Sequence, residues 1–305
     1  RIAVIGPNAA DLHLGGYARE SGLGTSVLEG ICARFGTDRV TYAQGCHITE
    51  GKAGAAEWWA DDVHPSNPTE QRHRIEAARN LAEQSDVAIL VIGGNEATAR
   101  EGWAGDHLGD RASLTLPGEQ EALVAAVAAT GTPTVAVVMG GRPLDLTPIV
   151  AQCAAILQVW YPGQEGGHAI ADLLSGDTNP SGKLPVTIPG SVGKVPHTYR
   201  DRPSKRRGYL FEATEPLFPF GHGLSYTEFS YGTPRLGQAV IGPQEATTVS
   251  VEVTNLGSRA GIEIVQCYVR DRVASVTRPL QSLCGFRPVH LEPGETKAVR
   301  FTIGE

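Results

Sequence analysis

The sequence predicts an α/β fold, a mostly parallel six-stranded sheet sandwiched by helices, followed by a small all-β sandwich truncated at its C-terminal edge. Three observations carry this. Through the first two-thirds of the chain, short apolar runs alternate with helical stretches. The central runs are continuous Val, Ile, Leu and Ala rather than alternating, which suits parallel strands buried on both faces. From Ala246 onward the period becomes two, the mark of half-buried strands in a sandwich.

Element by element, strands are expected at 2–6, 39–43, 87–93, 134–139, 154–160 and, briefly, 183–188. Helices are expected at 25–35, 69–84, 117–130, 146–152 and 165–174. In the second, Ile75, Ala78, Leu81 and Ala82 share one face, and in the third Leu123, Val124 and Val127 do the same. Strand–helix–strand alternation implies right-handed crossovers with helices on both faces. Near residue 190 the composition shifts to Gly, Pro and aromatics through Tyr231. Strands at 248–253, 262–269 and 297–303 follow, separated by Asn255-Leu256-Gly257 and Glu292-Pro293-Gly294-Glu295. Four or five strands are legible there, fewer than the roughly seven of a full sandwich. The domain division is therefore 1–230 and 231–305. Arg1-Ile2-Ala3-Val4 begins inside a strand and the last residues end as one finishes, so the expectation is a chain cut from something longer.

The bulk numbers exclude several functions. The 305 residues are 41% hydrophobic and 19% charged, enough apolar mass for a sizeable core, and the net charge of -7 comes with no basic block. Nucleic acid and anionic membrane are poor partners, and no apolar run approaches the ~20 residues of a membrane helix. Five cysteines (Cys32, Cys46, Cys153, Cys267, Cys284) include no C-x-x-C. They read as small buried hydrophobes and fix no compartment, so cytoplasmic and exported locations both stay open. Oligomeric state is equally open, a homo-oligomer included.

The chemistry concentrates in residues 95–111, NEATAREGWAGDHLGDR. Strand-to-helix connections take about 2–6 residues, and this one spends about seventeen. It leaves the carboxyl end of the strand at 87–93, where open α/β sheets collect ligands. It carries Glu96, Glu101, Asp106 and Asp110 with Arg100, Arg111 and Trp103. Sugar hydrolysis needs a carboxylic acid held protonated and a partner carboxylate. Glu101 is the preferred acid, because Trp103 stands where an indole can desolvate it and Asp106 and Asp110 where like charge raises its pKa; Arg100 and Arg111 oppose both. Glu96, nearer the strand end, is its rival. The bland alternative is a solvated acidic loop.

Other motifs are weaker. Gly6-Pro7-Asn8-Ala9 and Gly93-Gly94-Asn95 follow strands without forming a phosphate loop. There is no G-x-S-x-G elbow and no metal-ligand spacing among the nine histidines, so neither cofactor nor metal is implied. Trp58-Trp59 reads as a sugar-stacking pair or a packed surface turn.

Several segments, taken together, resemble glycoside hydrolase family 3, the β-glucosidase and β-xylosidase family. They are Ile2-Ala3-Val4-Ile5-Gly6-Pro7-Asn8-Ala9, Arg100-Glu101-Gly102 with Gly109-Asp110-Arg111, Leu114-Thr115-Leu116-Pro117-Gly118-Glu119-Gln120, Gly141-Arg142-Pro143-Leu144, Pro162-Gly163-Gln164-Glu165-Gly166-Gly167, Asn179-Pro180-Ser181-Gly182-Lys183-Leu184-Pro185, and Pro219-Phe220-Gly221-His222-Gly223-Leu224-Ser225-Tyr226-Thr227. They run in the family's order over essentially the whole chain. The resemblance implies an α/β sandwich domain followed by a fibronectin-type-III-like module, with the family's N-terminal barrel and its nucleophilic Asp not among these residues. It maps the family's acid/base glutamate onto Glu101. The chain departs from the pattern at Gly94, where relatives often carry Glu, and at Gly140, where they often carry Asn. The segment from Arg202 to Phe211, with Tyr209, resembles one branch of the family and is expected either to line outer sugar subsites or to serve as a packed linker.

The expectation is therefore part of a retaining β-glycosidase acting on β-linked glucosides or xylosides, with Glu101 catalytic and Trp103, Arg100, Asp110, Arg111, Glu96 and Tyr209 binding substrate. Its partners are the glycoside and the N-terminal barrel. Holding one carboxylate of the pair, the chain alone is expected to be nearly inactive. The alternative from another class is a non-catalytic carbohydrate-binding or interaction module.

Overall fold

The computed structural model describes residues 1–18, 22–51, 63–102, 109–203 and 208–304. In chain order its elements are β1 (Ile2–Ile5), α1 (Val27–Phe35), β2 (Val40–Ala43), β3 (Thr49–Gly51), β4 (Val63–Pro65), α2 (Pro68–Glu83), β5 (Val87–Gly93), α3 (Gln120–Ala128), β6 (Thr134–Met139), α4 (Thr147–Val150), β7 (Ala155–Trp160) and α5 (Gly166–Ser175), then β8 (Phe229–Tyr231), β9 (Arg235–Leu236), β10 (Thr247–Asn255), β11 (Gly261–Val269), β12 (Ser282–Leu291) and β13 (Thr296–Ile303). They form two compact units, Arg1–Ser175 with Pro189–Val195, and Gly176–Ile188 with Pro196–Glu305.

The first unit is the expected α/β layer structure. Its sheet has the order β2-β1-β5-β6-β7, and every pairing is parallel. Val4, Ile89, Val91, Val137 and Met139 pack with Val27, Ile31, Ile170 and Ala171 of α1 and α5. The alternate residues Ala3, Ile5, Leu90, Ile92, Ala136 and Val138 are equally buried, on the side where α2 and α3 pack together and reach β1 and β5. A strand apolar at every position is thereby explained. Local signals set the helix ends. Ser26 and Glu29 form a reciprocal capping box on α1, and Asn67 caps α2 with Pro68 at its first turn. Helix α3 starts later than residue 117, because Pro117 is followed by Gly118 in a left-handed turn at φ 66°.

Two expectations are corrected. The sheet has five strands among the described residues, not six. Residues 183–188 instead meet Phe218–His222 in the second unit, through an Ile188–Phe218 bridge and bonds from Leu184 N to His222 O and from Gly221 N to Leu184 O, each 2.8 Å. Pro185 has no N–H to offer a continuing ladder. The short β3–β4 hairpin had no clear periodic signal.

Among its described residues the second unit holds six strands where four or five were legible. Strand β10 pairs with β13, β8 and β9, and β11 pairs with β12. Val251, Val253, Val265, Leu291, Val299 and Phe301 form its core. Strand β12 was missed because Pro288 and Gly285 interrupt it and a bulge at Cys284 breaks its alternation. Two asparagines staple this unit. Asn255, fully buried, donates to the carbonyls of Arg259 (2.7 Å) and Leu291 (3.1 Å) and accepts from Thr227 (2.7 Å). Asn179 donates to Ala260 O and accepts from Ser225 Oγ and Tyr226 N. The motifs around Asn179 and Ser225 thus earn their residues by holding each other.

Candidate functional site

The carboxyl ends of β1 and β5 and the start of α3 are tied together by side-chain amides. Asn8 Nδ2 donates to Gly94 O at 3.0 Å. Gln120, fully buried at the start of α3, accepts from Gly93 N and donates to Gly93 O, both at 2.8 Å, and donates to Pro117 O. A buried amide must have all its partners found inside the protein, so these bonds fix where β5 ends. Asn95 then caps the 3-10 turn Glu96–Thr98, its Oδ1 accepting from Thr98 N while Thr98 Oγ1 accepts from Asn95 N.

Glu96 points inward from that turn and is 4% exposed. Its Oε2 lies 2.9 Å from His13 Nδ1, and its Oε1 accepts from Gly15 N at 3.2 Å. Burial favours the neutral acid, but the His13 hydrogen bond and charge, with backbone N–H groups, outweigh it and hold the carboxyl below its usual value. An ionised carboxylate only accepts, so Nδ1 of His13 carries the hydrogen. Tyr161, at the end of β7, is raised by burial first and then by the Glu96 charge.

The return of the loop is held by Arg142, from the Gly141-Arg142-Pro143-Leu144 motif. Its guanidinium contacts the Asp110 carboxylate and donates to Thr98 O at 2.8 Å and to Arg111 O at 3.4 Å. Arg111 in turn donates to Thr115 O at 2.7 Å. Arg142, Gln120 and His13 were not singled out as site residues from the sequence; the motifs holding the first two were the only signal available.

Glu101 leaves this frame in exposed chain outside any helix or strand. The Tyr17 hydroxyl donates to its Oε2 at 3.3 Å, and the Glu101 charge raises the Tyr17 phenol above its ordinary value. Arg100, beside it, is buried at 9% exposure. The structure thus brings Glu96, Arg100, Glu101, Asp110 and Arg111 onto one strand-end loop. Trp103 and Asp106 lie outside the described residues, as do Trp58-Trp59, so the indole expected to desolvate Glu101 is not among them. Tyr209 belongs to the second unit and is 61% exposed. Gly94 and Gly140, the two departures from the family pattern, are neighbours: a Cβ on Gly140 would stand 3.2 Å from Gly94 N.

Among the described residues no group of three or more His, Cys, Asp and Glu is arranged to hold a metal ion, and no helix is long and apolar enough to cross a membrane. A cavity of about 240 Å³ opens in the second unit, lined by Tyr268, Val269, Arg270, Leu280 and Gln281. None of these residues is a carboxylate, and the cavity is not the candidate site.

Comparison with known proteins finds the glycosyl hydrolase family 3 C-terminal domain over residues 1–226 and a fibronectin type III-like domain over 263–305. A beta-xylosidase of Formosa agariphila is 43% identical over 99% of this chain and 40% of its own length. A periplasmic beta-glucosidase of Salmonella typhimurium is 38% identical over 99% of this chain and 41% of its own. Among solved structures, a β-glucosidase from Erythrobacter marinus superposes with a TM-score of 0.93 at 47% identity, covering 99% of this chain and 41% of that one. A Listeria innocua beta-glucosidase in complex with isofagomine gives 0.81 at 31% identity, covering 100% and 41%. The chain thus spans about two-fifths of the length of the curated relatives it matches.

Proposed function

Because the chain belongs to glycosyl hydrolase family 3, we propose that it is the acid/base-bearing part of a retaining β-glycosidase for β-linked glucosides or xylosides. Residues 1–230 are then the domain that carries the acid/base, and 231–305 its fibronectin-type-III-like module. The nucleophilic Asp resides on an N-terminal barrel.

The observation that carries this reading is the contrast between two glutamates five positions apart. Glu96 is committed: buried, ionised and bonded through both oxygens. Glu101 is presented: exposed, three residues beyond a turn that Asn95, Arg142 and Glu96 hold in place. A residue that must donate a proton to a leaving oxygen, and then take one from water, needs access that Glu96 lacks.

In the proposed double displacement, the barrel Asp attacks the anomeric carbon while Glu101 protonates the departing oxygen. Glu101 then removes a proton from the water that opens the glycosyl-enzyme. The two carboxyl groups meet at about 5–5.5 Å, as retention requires.

The test is Glu101→Gln in the intact parent enzyme. Turnover of glycosides with poor leaving groups should fall by about 10²–10⁴, the usual worth of general acid–base catalysis. Activated aryl glycosides, whose leaving groups need no proton, should lose far less in the glycosylation step. Equal loss on both classes, or none, defeats the assignment, and a larger leaving-group effect from Glu96→Gln transfers it to the rival.

A further inference from the structure

The ladder between β11 and β12 runs in regular register from Gly261↔Leu291 to Cys267↔Gly285, then resumes at Tyr268↔Leu283. Cys284 is the extra residue. In an unbroken strand, adjacent side chains face opposite sides, so Cys284 would turn away from whatever faces Gly285. A bulge sets two residues of one strand against one of its partner. Cys284 is therefore brought to the side of Cys267, and its Sγ donates to Cys267 O at 3.2 Å. The residue directly opposite Cys267 is Gly285, which puts no side chain between the sulfurs. Cys267 packs against the core of the unit, and Cys284 is exposed, unlike the buried hydrophobe expected from the sequence. Burial, followed by the hydrogen bond and charge of the facing Cys284 thiol, pushes the Cys267 thiol up to about 11.

We propose that Cys267 and Cys284 are a cross-strand modification site that closes to a disulfide over the bulge when the chain meets a small disulfide oxidant such as oxidised glutathione. The Cys284 sulfur already lies 3.2 Å from the Cys267 carbonyl and hydrogen-bonds the Cys267 thiol, the close approach needed by a disulfide, which spans Cα atoms roughly 4.4–6.8 Å apart. The exposed Cys284 reacts first: its thiolate attacks one glutathione sulfur, forms a mixed disulfide and releases one glutathione thiolate. Cys267, deprotonated, then attacks the Cys284 sulfur and releases the second. Two protein thiols lose two protons and two electrons, and one oxidised glutathione becomes two reduced ones. The bond would lock residues 268–283 into a closed loop. The closing step needs the Cys267 thiolate, so it quickens as pH rises toward the raised value.

The chain is incubated with oxidised glutathione at mildly alkaline pH, quenched by acid, and its free thiols are counted under denaturing conditions. The count should fall from five to three, with the mass lower by two hydrogens and one peptide pair joined through Cys267 and Cys284. Cys284→Ser, at an exposed position, should keep all four of its thiols, whereas Cys153→Ser should still lose two. Five surviving thiols, a glutathione left attached to Cys284, or a covalent dimer would each overturn the proposal.

Discussion

Each unit buries a carboxylate among its described residues, and the two are held differently. Glu96, in the α/β unit, sits on a single turn with no strand partner and is fixed by His13 and a backbone N–H. Glu263, in the β unit, sits on β11 opposite Val289 and is met by Lys183 at 3.2 Å and by the Tyr231 hydroxyl at 2.7 Å. The ladder already fixes the Glu263 backbone, so its side chain only joins neighbours. Glu96 is what positions its own backbone, and with it the path to Glu101. A buried charge matters most where no ladder or helix duplicates its work.

The largest effect expected is one that leaves both carboxylates untouched. Helices α1 and α5 meet through Gly30 and Gly167, and a Cβ at Gly30 would fall 2.1 Å from Gly167 O. Gly30→Leu should cost upward of about 4 kcal/mol, seen as loss of the α/β unit's denaturant transition while the β unit's signal persists. Loss of both together would show that the units do not melt separately and would blunt the comparison. Next comes Glu96→Ala, which strands His13 in the interior and should cost about 3 kcal/mol. Glu263→Ala, which leaves Lys183 its bond to Gly223 O and Tyr231 its exposure to water, should cost about 1–2 kcal/mol. Chemical denaturation of the pair checks the order, and a reversal removes the special role assigned to the Glu96 turn.

A smaller effect separates charge from packing. Because the folded Glu96 carboxyl is held below its unfolded value, its contribution is fully present above the ordinary carboxylate pKa of about 4.3. It is lost as pH falls through the lowered folded value. Glu96→Gln should therefore shrink the acid-side loss of stability, measured as midpoint denaturant against pH; an unchanged slope would mean the pair carries no net linkage. The smallest effect concerns the exposed glutamate. Tyr17 titrates above its ordinary value because of the Glu101 charge, so Glu101→Gln should return the Tyr17 phenol toward that value in a tyrosine-resolved titration, without moving thermal stability. No shift would mean the two side chains are not neighbours in solution.

Much of this molecule was determined by sequence alone. Continuous apolar runs such as Val87–Gly93 demand burial on both faces, and that requirement admits few architectures beyond a parallel sheet under helices. The loop at 95–111 was legible for the same kind of reason: it is too long, and too rich in carboxylates, for a connection. Tertiary structure decided what local pattern cannot encode. It set Glu96 against His13, eighty-three positions away, and so separated an interior carboxylate from an exposed one that reads alike in the chain. It gave Gln120 and Arg142 their work, because a buried amide or guanidinium is assigned by whichever carbonyls the fold leaves unsatisfied. It paired residues 183–188 with Phe218–His222 instead of a sixth sheet strand and brought Cys284 beside Cys267. Pairing partners and the one-residue slip of a bulge are settled between strands, where no periodicity within a single strand reaches.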